Sequence, residues 1–300
     1  MLMKPSIDFV FKKLFGAEES KESLISLLNA IIKSDSPIQD VEILNNDLNK
    51  EHNEGKFSRL DIKAKTDKGE LINIEIQVKN EYNMIQRTLY YWSRIYTDQL
   101  SSTRDYSELV RTICINILNF KLLDNDRYHN TYRLKELTTN EELTDIEEIH
   151  FIELPKSKHV DKDEVNNIDS LLKWIEFIKE PESETVKILE TTDEVLRNAK
   201  TQLYKISLDK DSIARYREFE KRIYDETSAL NSAKREGLEK GVEIGRKEGK
   251  EEGLKEGEVK GTLKANRKIA KNLLNKGLEL KEIAKILELD EISVEEIIKD

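Results

Sequence analysis

The stretch Arg59–Lys79 constrains this chain more than any other. Its second half alternates without a break: Ile72, Ile74, Ile76 and Val78 fall on one face of a strand, and Leu71, Asn73, Glu75, Gln77 and Lys79 on the other. That assignment follows because successive side chains of a strand point to opposite faces. The first half behaves the same way, with Leu60, Ile62 and Ala64 opposed to Asp61 and Lys63. Between the halves lies Asp67-Lys68-Gly69, a cluster of the kind that closes hairpins. Pairing the two strands brings Asp61 near Glu75 and Gln77, on the polar side of a sheet whose other side is core. Two neighbouring carboxylates repel each other, and a divalent cation relieves that repulsion.

The Asp61-x(13)-Glu75-x-Gln77 spacing comes after an opening segment Asp8–Gly16 that reads DFVFKKLFG, and before a helix that starts near Asn83. In this order the parts resemble the Rpn family, the recombination-promoting, transposase-like nucleases of the PD-(D/E)XK superfamily. The likeness covers roughly the first half of the chain, and the glycine-rich tail extends it. It implies an α/β fold: a restriction-endonuclease-like PD-(D/E)XK core, which is a mixed sheet flanked by helices, followed by an all-helical C-terminal half. It also implies a metal-dependent DNA endonuclease that hydrolyses phosphodiester bonds in recombination, mobile-element movement or phage defence.

On that resemblance Asp61, Glu75 and Gln77 are the catalytic residues. Asp61, Glu75 and the backbone carbonyl of Ile76 would hold Mg2+ or another hard cation such as Mn2+. Asp8 on the first helix is a further acidic candidate; it is equally an anion favoured by the macrodipole in a first turn. DNA contacts fall to Lys12, Lys79 and Arg87, the last also readable as a plain surface arginine. The superfamily motif ends in Lys where this chain has Gln77, a neutral side chain with one acceptor oxygen and two donor hydrogens. Either the metal carries more of the electrostatics or Lys79, on the same face, helps. The departure keeps a second reading open: a catalytically weak or inactive nuclease fold that serves as an oligomerising, partner-binding module.

Charge bears on the partner. The net charge is −10, and 37% of residues are charged. Affinity for DNA comes mainly from cations meeting phosphates, so a generic nucleic-acid coat is excluded and any DNA site is local and salt-sensitive. No cluster of aromatic and basic residues supports an RNA-binding regulator. No apolar run approaches the ~20 residues that span a bilayer, and no secretory leader is read, so a cytoplasmic protein with no membrane partner is expected. The single cysteine, Cys114, suits that compartment and lies in an apolar strand, where a buried, inert thiol is expected.

Four regions follow along the chain. Residues 1–155 form the nuclease-like domain. It opens with a helix from Asp8 that Ser6 caps and Gly16 ends, and a second that Ser20 caps, running to about Lys33. A strand over Ile38–Leu48, with Val41 and Ile43 directed inward, and the two strands of the hairpin come next. Asn83–Leu100 reads as a helix with Ile85, Leu89, Trp92, Ile95 and Tyr96 on or near one face. Val110–Phe120 reads as a fourth, central strand whose Asn116 and Asn119 point toward the cleft. Thr131–Leu137 and Ile146–Leu154 extend the sheet at its edge. His129, His150 and His159 have no metal spacing and read as structural. Residues 156–233 are helical, with stripes through Leu171, Trp174 and Ile178 and through Val186 and Leu189, and a third helix over Ser207–Ala233.

The third region, 234–262, repeats glycine every four residues: Gly237, Gly241, Gly245, Gly249, Gly253, Gly257 and Gly261. Eight Lys/Arg and eight Glu lie between Lys234 and Lys260, so this is no basic arm. Pairs such as Glu243 with Lys247 and Glu256 with Lys260 favour a helix, while each glycine costs ~1 kcal/mol relative to Ala. Close approach of a second helix would make the glycines worthwhile, so a homodimer through this segment is expected, against the alternative of a flexible charged linker. The fourth region, 263–300, reads as three short helices separated at Gly277 and near Asp290. It resembles a helix-turn-helix, but Glu291, Glu295, Glu296 and Asp300 on the last helix are the wrong charge for a major groove. A helical cap or partner-binding unit is the favoured reading.

Overall fold

The computed structural model describes residues 2–44, 62–100, 105–158, 165 and 167–299. Asp61, His159 and the chain from residue 45 to 60 lie outside the described residues. Contacts divide the chain into two compact units, Met1–Glu218 and Phe219–Asp300.

The first unit opens with α1 (Asp8–Phe15) and α2 (Lys21–Ile32). Gly16 follows α1 as expected, but Ser6 does not cap it: Ile7 holds that position, and buried Ser6 donates its N–H to Ile178 O at 3.1 Å. Ser20 precedes α2, yet its buried hydroxyl makes no capping bond there. Both serines are tied into tertiary packing, which overrides the local cap.

The sheet has six strands: β1 (Val41–Ile43), β2 (Ile62–Thr66), β3 (Leu71–Gln77), β4 (Thr112–Leu118), β5 (His129–Lys135) and β6 (Glu142–Glu153), in the order β1-β2-β3-β4-β6-β5. β1, β2 and β3 are antiparallel neighbours, and the hairpin turns at Gly69, whose φ of +86° only glycine adopts cheaply. α3 (Met84–Thr97) crosses over to β4, which runs parallel to β3, and β4 is parallel to β6. The expectation that the last two strands extend the sheet at its edge is met. β6 inserts beside β4, and β5 forms the edge. β4 is buried along its whole length, as a central parallel strand must be.

Two expectations about faces are corrected. The Asn73–Glu75 side of β3 is not an open polar side: Asn73 is 2% and Glu75 1% exposed. α3 lies over this side, where Met84 packs with Cys114, Leu118, Ile149 and Phe151. α3 itself buries Met84, Thr88, Tyr91 and Ile95 rather than the stripe through Ile85 and Leu89, both of which stay 45% exposed. The helix is rotated because the strand surface beneath it carries Asn116, to which Thr88 can bond.

α4 (Ser170–Lys179), α5 (Glu184–Thr192) and α6 (Glu194–Leu208) complete the packing of the first unit, with Asp169, Ser183 and Asp193 capping their starts. Trp174 is buried between Phe15 and Phe177, with ring centroids 5.5 and 5.9 Å away. Asp209 ends α6; its carboxylate accepts Ser212 N–H at 3.0 Å and starts the next helix.

That helix, α7, runs unbroken over Lys210–Asn275, 66 residues. The separate helices expected over 207–233, 234–262 and from 263 are one element. In the second unit the end of α7 packs with α8 (Leu280–Leu287) and α9 (Glu291–Lys299) around Ala270, Ile283, Ala284 and Val294. Gly277, at φ +89°, makes the turn out of α7. No helix among the described residues is long and apolar enough to cross a membrane.

Candidate active site

β3 presents Asn73, Glu75 and Gln77 at alternate positions of one face. Glu75 has Asn116 of β4 as its Cα partner. Ile62 pairs with Ile74 on the β2 side, the last described pair before Asp61. α3 supplies the cation: Arg87 Nη2 lies 3.3 Å from Glu75 Oε2, with its side chain 23% exposed against 2% for the glutamate. The guanidinium also sits 5.4 Å from the Tyr91 ring centroid, one helical turn on. Arg87 is therefore not a plain surface arginine.

Next to Arg87, the Thr88 hydroxyl lies between Met84 O at 2.8 Å and Asn116 Oδ1 at 3.0 Å, and it can donate to only one at a time. Asn116 in turn donates from Nδ2 to His150 O at 3.1 Å. Asn116 is thus a strap between α3, β4 and β6, a role its position in an apolar strand did not signal.

Asn73 was not singled out by sequence, although period two places it beside Glu75. Its Oδ1 is buried and has no hydrogen-bond partner among the described residues. A buried acceptor left unmade costs about 1–3 kcal/mol, and an orphan of this kind calls for a water or an ion. A carboxylate and an amide oxygen on one strand face are hard donors of the type that suits Mg2+ or Mn2+. The residues present therefore fit a divalent cation chemically. Among the described residues, no group of three or more His, Cys, Asp or Glu side chains converges on a metal position; Asp61 lies outside them.

The other sequence-derived residues are placed as follows. Gln77 is half-buried at the end of β3, and its carbonyl accepts Asn119 N–H at 2.9 Å. Lys79 is exposed just beyond β3, Lys12 is half-buried on α1, and Asp8 is exposed in the first turn of α1. Asp8 Oδ1 accepts Phe9 N–H at 2.7 Å. Cys114 is buried, and burial first and Glu75 second push its thiol well above the usual range, so it stays protonated and inert.

The histidines belong to a separate cluster on β5 and β6. Glu148, 1% exposed, accepts from His150 Nε2 at 2.8 Å and Arg111 Nη2 at 2.7 Å, and it also pairs with Arg133. His129 Nε2 lies 2.9 Å from His150 Nδ1. Burial opposes ionisation of Glu148, but the bond from His150 and the Arg111 charge bring its carboxyl down to about 2. Burial, then the neighbouring His150, pushes His129 down to about 4.

A family model described as PD-(D/E)XK nuclease family transposase matches residues 5–233. No curated protein and no solved structure matches the chain. The matched span takes in the whole sheet, the Glu75–Arg87 pair and the helices that pack the first unit, well over half of the sequence. This chain belongs to the PD-(D/E)XK nuclease transposase family.

Proposed function

We propose that this nuclease-family protein is a cation-dependent DNA endonuclease of the cytoplasm. The observation that carries the reading is Glu75, a carboxylate buried on a core strand beside an arginine, in a chain whose family cleaves phosphodiesters. Asp61 lies outside the described residues, and its assignment rests on its spacing from Glu75 in the sequence. Asp61, Glu75 and the Ile76 carbonyl are the groups that would hold Mg2+ or Mn2+. Bound there, the cation would lower the pKa of a water and offset charge developing on the phosphodiester.

The protein's own groups have distinct tasks. Gln77 orients the attacking water or a phosphate oxygen through its amide. Arg87 offers a fixed cation beside Glu75 to a phosphate, and a guanidinium suits that oxygen geometry. Lys12 and Lys79 hold the DNA backbone, and Asp8 is a further acidic group at the edge of the site. Nicking of supercoiled plasmid with Mg2+, with chelator, and by Asp61→Ala and Glu75→Gln tests the assignment. Loss of nicking in the last three is expected; full activity in either variant would sink it. Gln77→Lys restores a cation at this position and is expected to retain or raise the rate. A folded but dead Gln77→Lys protein would give the amide a role that a cation cannot fill.

A second reading rests on α7. From Phe219 to Ile269 no residue of this helix is buried, and Leu238, Val242, Ile244, Leu254 and Val259 are 57–68% exposed among the glycines. A Cβ built at any of the seven tetrad glycines meets nothing within 4 Å. Nothing among the described residues therefore requires glycine there, which favours close approach by a second chain and a homodimer. If the protein is catalytically inert, this helix is where an interaction module would act.

A further inference from the structure

We propose that the groove between α3 and the β5–β6 hairpin docks a basic, apolar-anchored helix of a partner polypeptide. The groove encloses a cavity of about 270 Å3 lined by Ile85 and Leu89 of α3, Tyr132 and Leu134 of β5, and Phe151 and Glu147 of β6. Ile85, Leu89, Tyr132 and Leu134 are each 45% exposed. The core beneath them closes without their help, through Met84, Cys114, Leu118, Ile149 and Phe151. The same hairpin also carries Leu143 at 78% and Leu137 at 97% exposed. Grouped apolar exposure rimmed by polar residues marks an interaction surface.

Charge selects the occupant. Between Tyr132 and Glu147 the hairpin holds Glu136, Glu141, Glu142, Asp145 and Glu147 against Lys135 and Arg133, which also lines the cavity; Glu148 is buried and held by His150 and Arg111. Arg133 is already committed to Glu142 and Glu148. Glu147 lines the cavity, and among the described residues no ion pair or side-chain hydrogen bond engages its carboxylate; burial alone raises its pKa. A half-buried carboxylate on an apolar wall is best satisfied by a Lys or Arg whose neighbours fill the cavity. Phosphates would be repelled by this rim, which argues against the DNA substrate as occupant. A trough between a helix and a hairpin suits a helix that inserts apolar side chains at i, i+3 or i+4 spacing.

The test uses the full chain and a labelled synthetic helix of Leu and Lys with one apolar face, read by fluorescence anisotropy at physiological salt. A scrambled peptide of the same composition and a Leu/Glu version are the controls. Binding at least ~10-fold tighter than both controls is expected, and Glu147→Lys and Leu89→Asp should each remove at least ~10-fold of it, as hot-spot residues do. Leu134→Asp on the exposed hairpin serves in place of Leu89→Asp if that variant melts early. Equal binding of the scrambled peptide, or no loss in the variants, would mean a general acidic surface and overturn the proposal. So would binding of a labelled DNA oligonucleotide that Leu89→Asp weakens, since the groove would then take the phosphate backbone. Self-association of wild type that the same substitutions abolish would assign the groove to a second copy instead. None of these readouts depends on nuclease activity.

Discussion

The sheet of the first unit and the exposed length of α7 use charge in opposite ways. On the sheet, Glu148 is 1% exposed and held by His150, Arg111 and Arg133. On α7, Glu256 and Lys260 form a 2.9 Å pair with side chains 70% and 76% exposed. The first kind of contact is costly to break because the partners stay buried; the second is screened by water and worth little. Burial therefore holds the sheet in one arrangement, whereas α7 rests on local hydrogen bonds and weak pairs. Seven glycines cost α7 on the order of 5–7 kcal/mol against Ala. Four residues turn a helix by ~400°, so the glycine stripe drifts ~40° per repeat and two such helices would cross or supercoil right-handed.

The largest effect that would sharpen this contrast is catalytic. Glu75→Gln keeps the volume of a residue buried under α3, so plasmid nicking should fall by roughly 10³-fold while the melting temperature changes little; removing single groups of catalytic units has effects of this size or larger. A comparable substitution on α7, Glu256→Gln, should leave nicking unchanged. If both variants nick alike, Glu75 is only a structural carboxylate.

Stability comes next. Glu148→Ala removes the partner shared by His150, Arg111 and Arg133, while Arg111 keeps Glu70 and Arg133 keeps Glu142, and should cost ~2–3 kcal/mol in denaturant unfolding. Glu256→Ala should cost no more than ~0.5 kcal/mol. Similar values for the two would break the comparison.

Acid probes the same contrast. His129 protonates near 6.5 when unfolded but near 4 in the fold, so stability is complete above about 6.5 and falls as pH drops toward 4. Glu148, lowered from 4.5 to about 2, adds stability that is present above about 4.5 and lost as pH falls toward 2. That second loss is on the order of 3 kcal/mol. Trp92 and Trp174 both lie in the first unit, so their fluorescence should report a two-stage weakening. His129→Gln should remove the upper stage only, and an unchanged profile in that variant would refute the assignment.

The smallest expected effect separates the two readings of the glycines. Gly245, Gly249 and Gly253 replaced by Leu should weaken dimerisation by ~10-fold in light scattering, as blocked backbone approach predicts, although Leu is the better helix former. A monomeric wild type at tens of micromolar, or a dimer that tightens with Leu, would remove the pairing role.

Much of the first unit was legible because period-two alternation and Asp67-Lys68-Gly69 leave few other ways to bury Ile72, Ile74 and Ile76. The strands, the hairpin and the central place of β4 were read from sequence; that β4 runs parallel to β3 and β6 came only from the structure. The faces were not legible either. Alternation says that Asn73, Glu75 and Gln77 share a side, but not that a helix covers that side, because burial depends on a partner distant in sequence. The same limit hid the rotation of α3, the Thr88–Asn116 strap and the orphaned Asn73 oxygen. It also hid the insertion of β6 between β4 and β5, since neighbouring strands in sequence need not be neighbours in a sheet. In α7 the relation reverses: helical periodicity and i,i+4 charge are local, so sequence alone foresaw helix through the glycines, and the structure added that no described residue covers them. What pairs across the sheet is set by packing, and packing is decided only when all the elements meet.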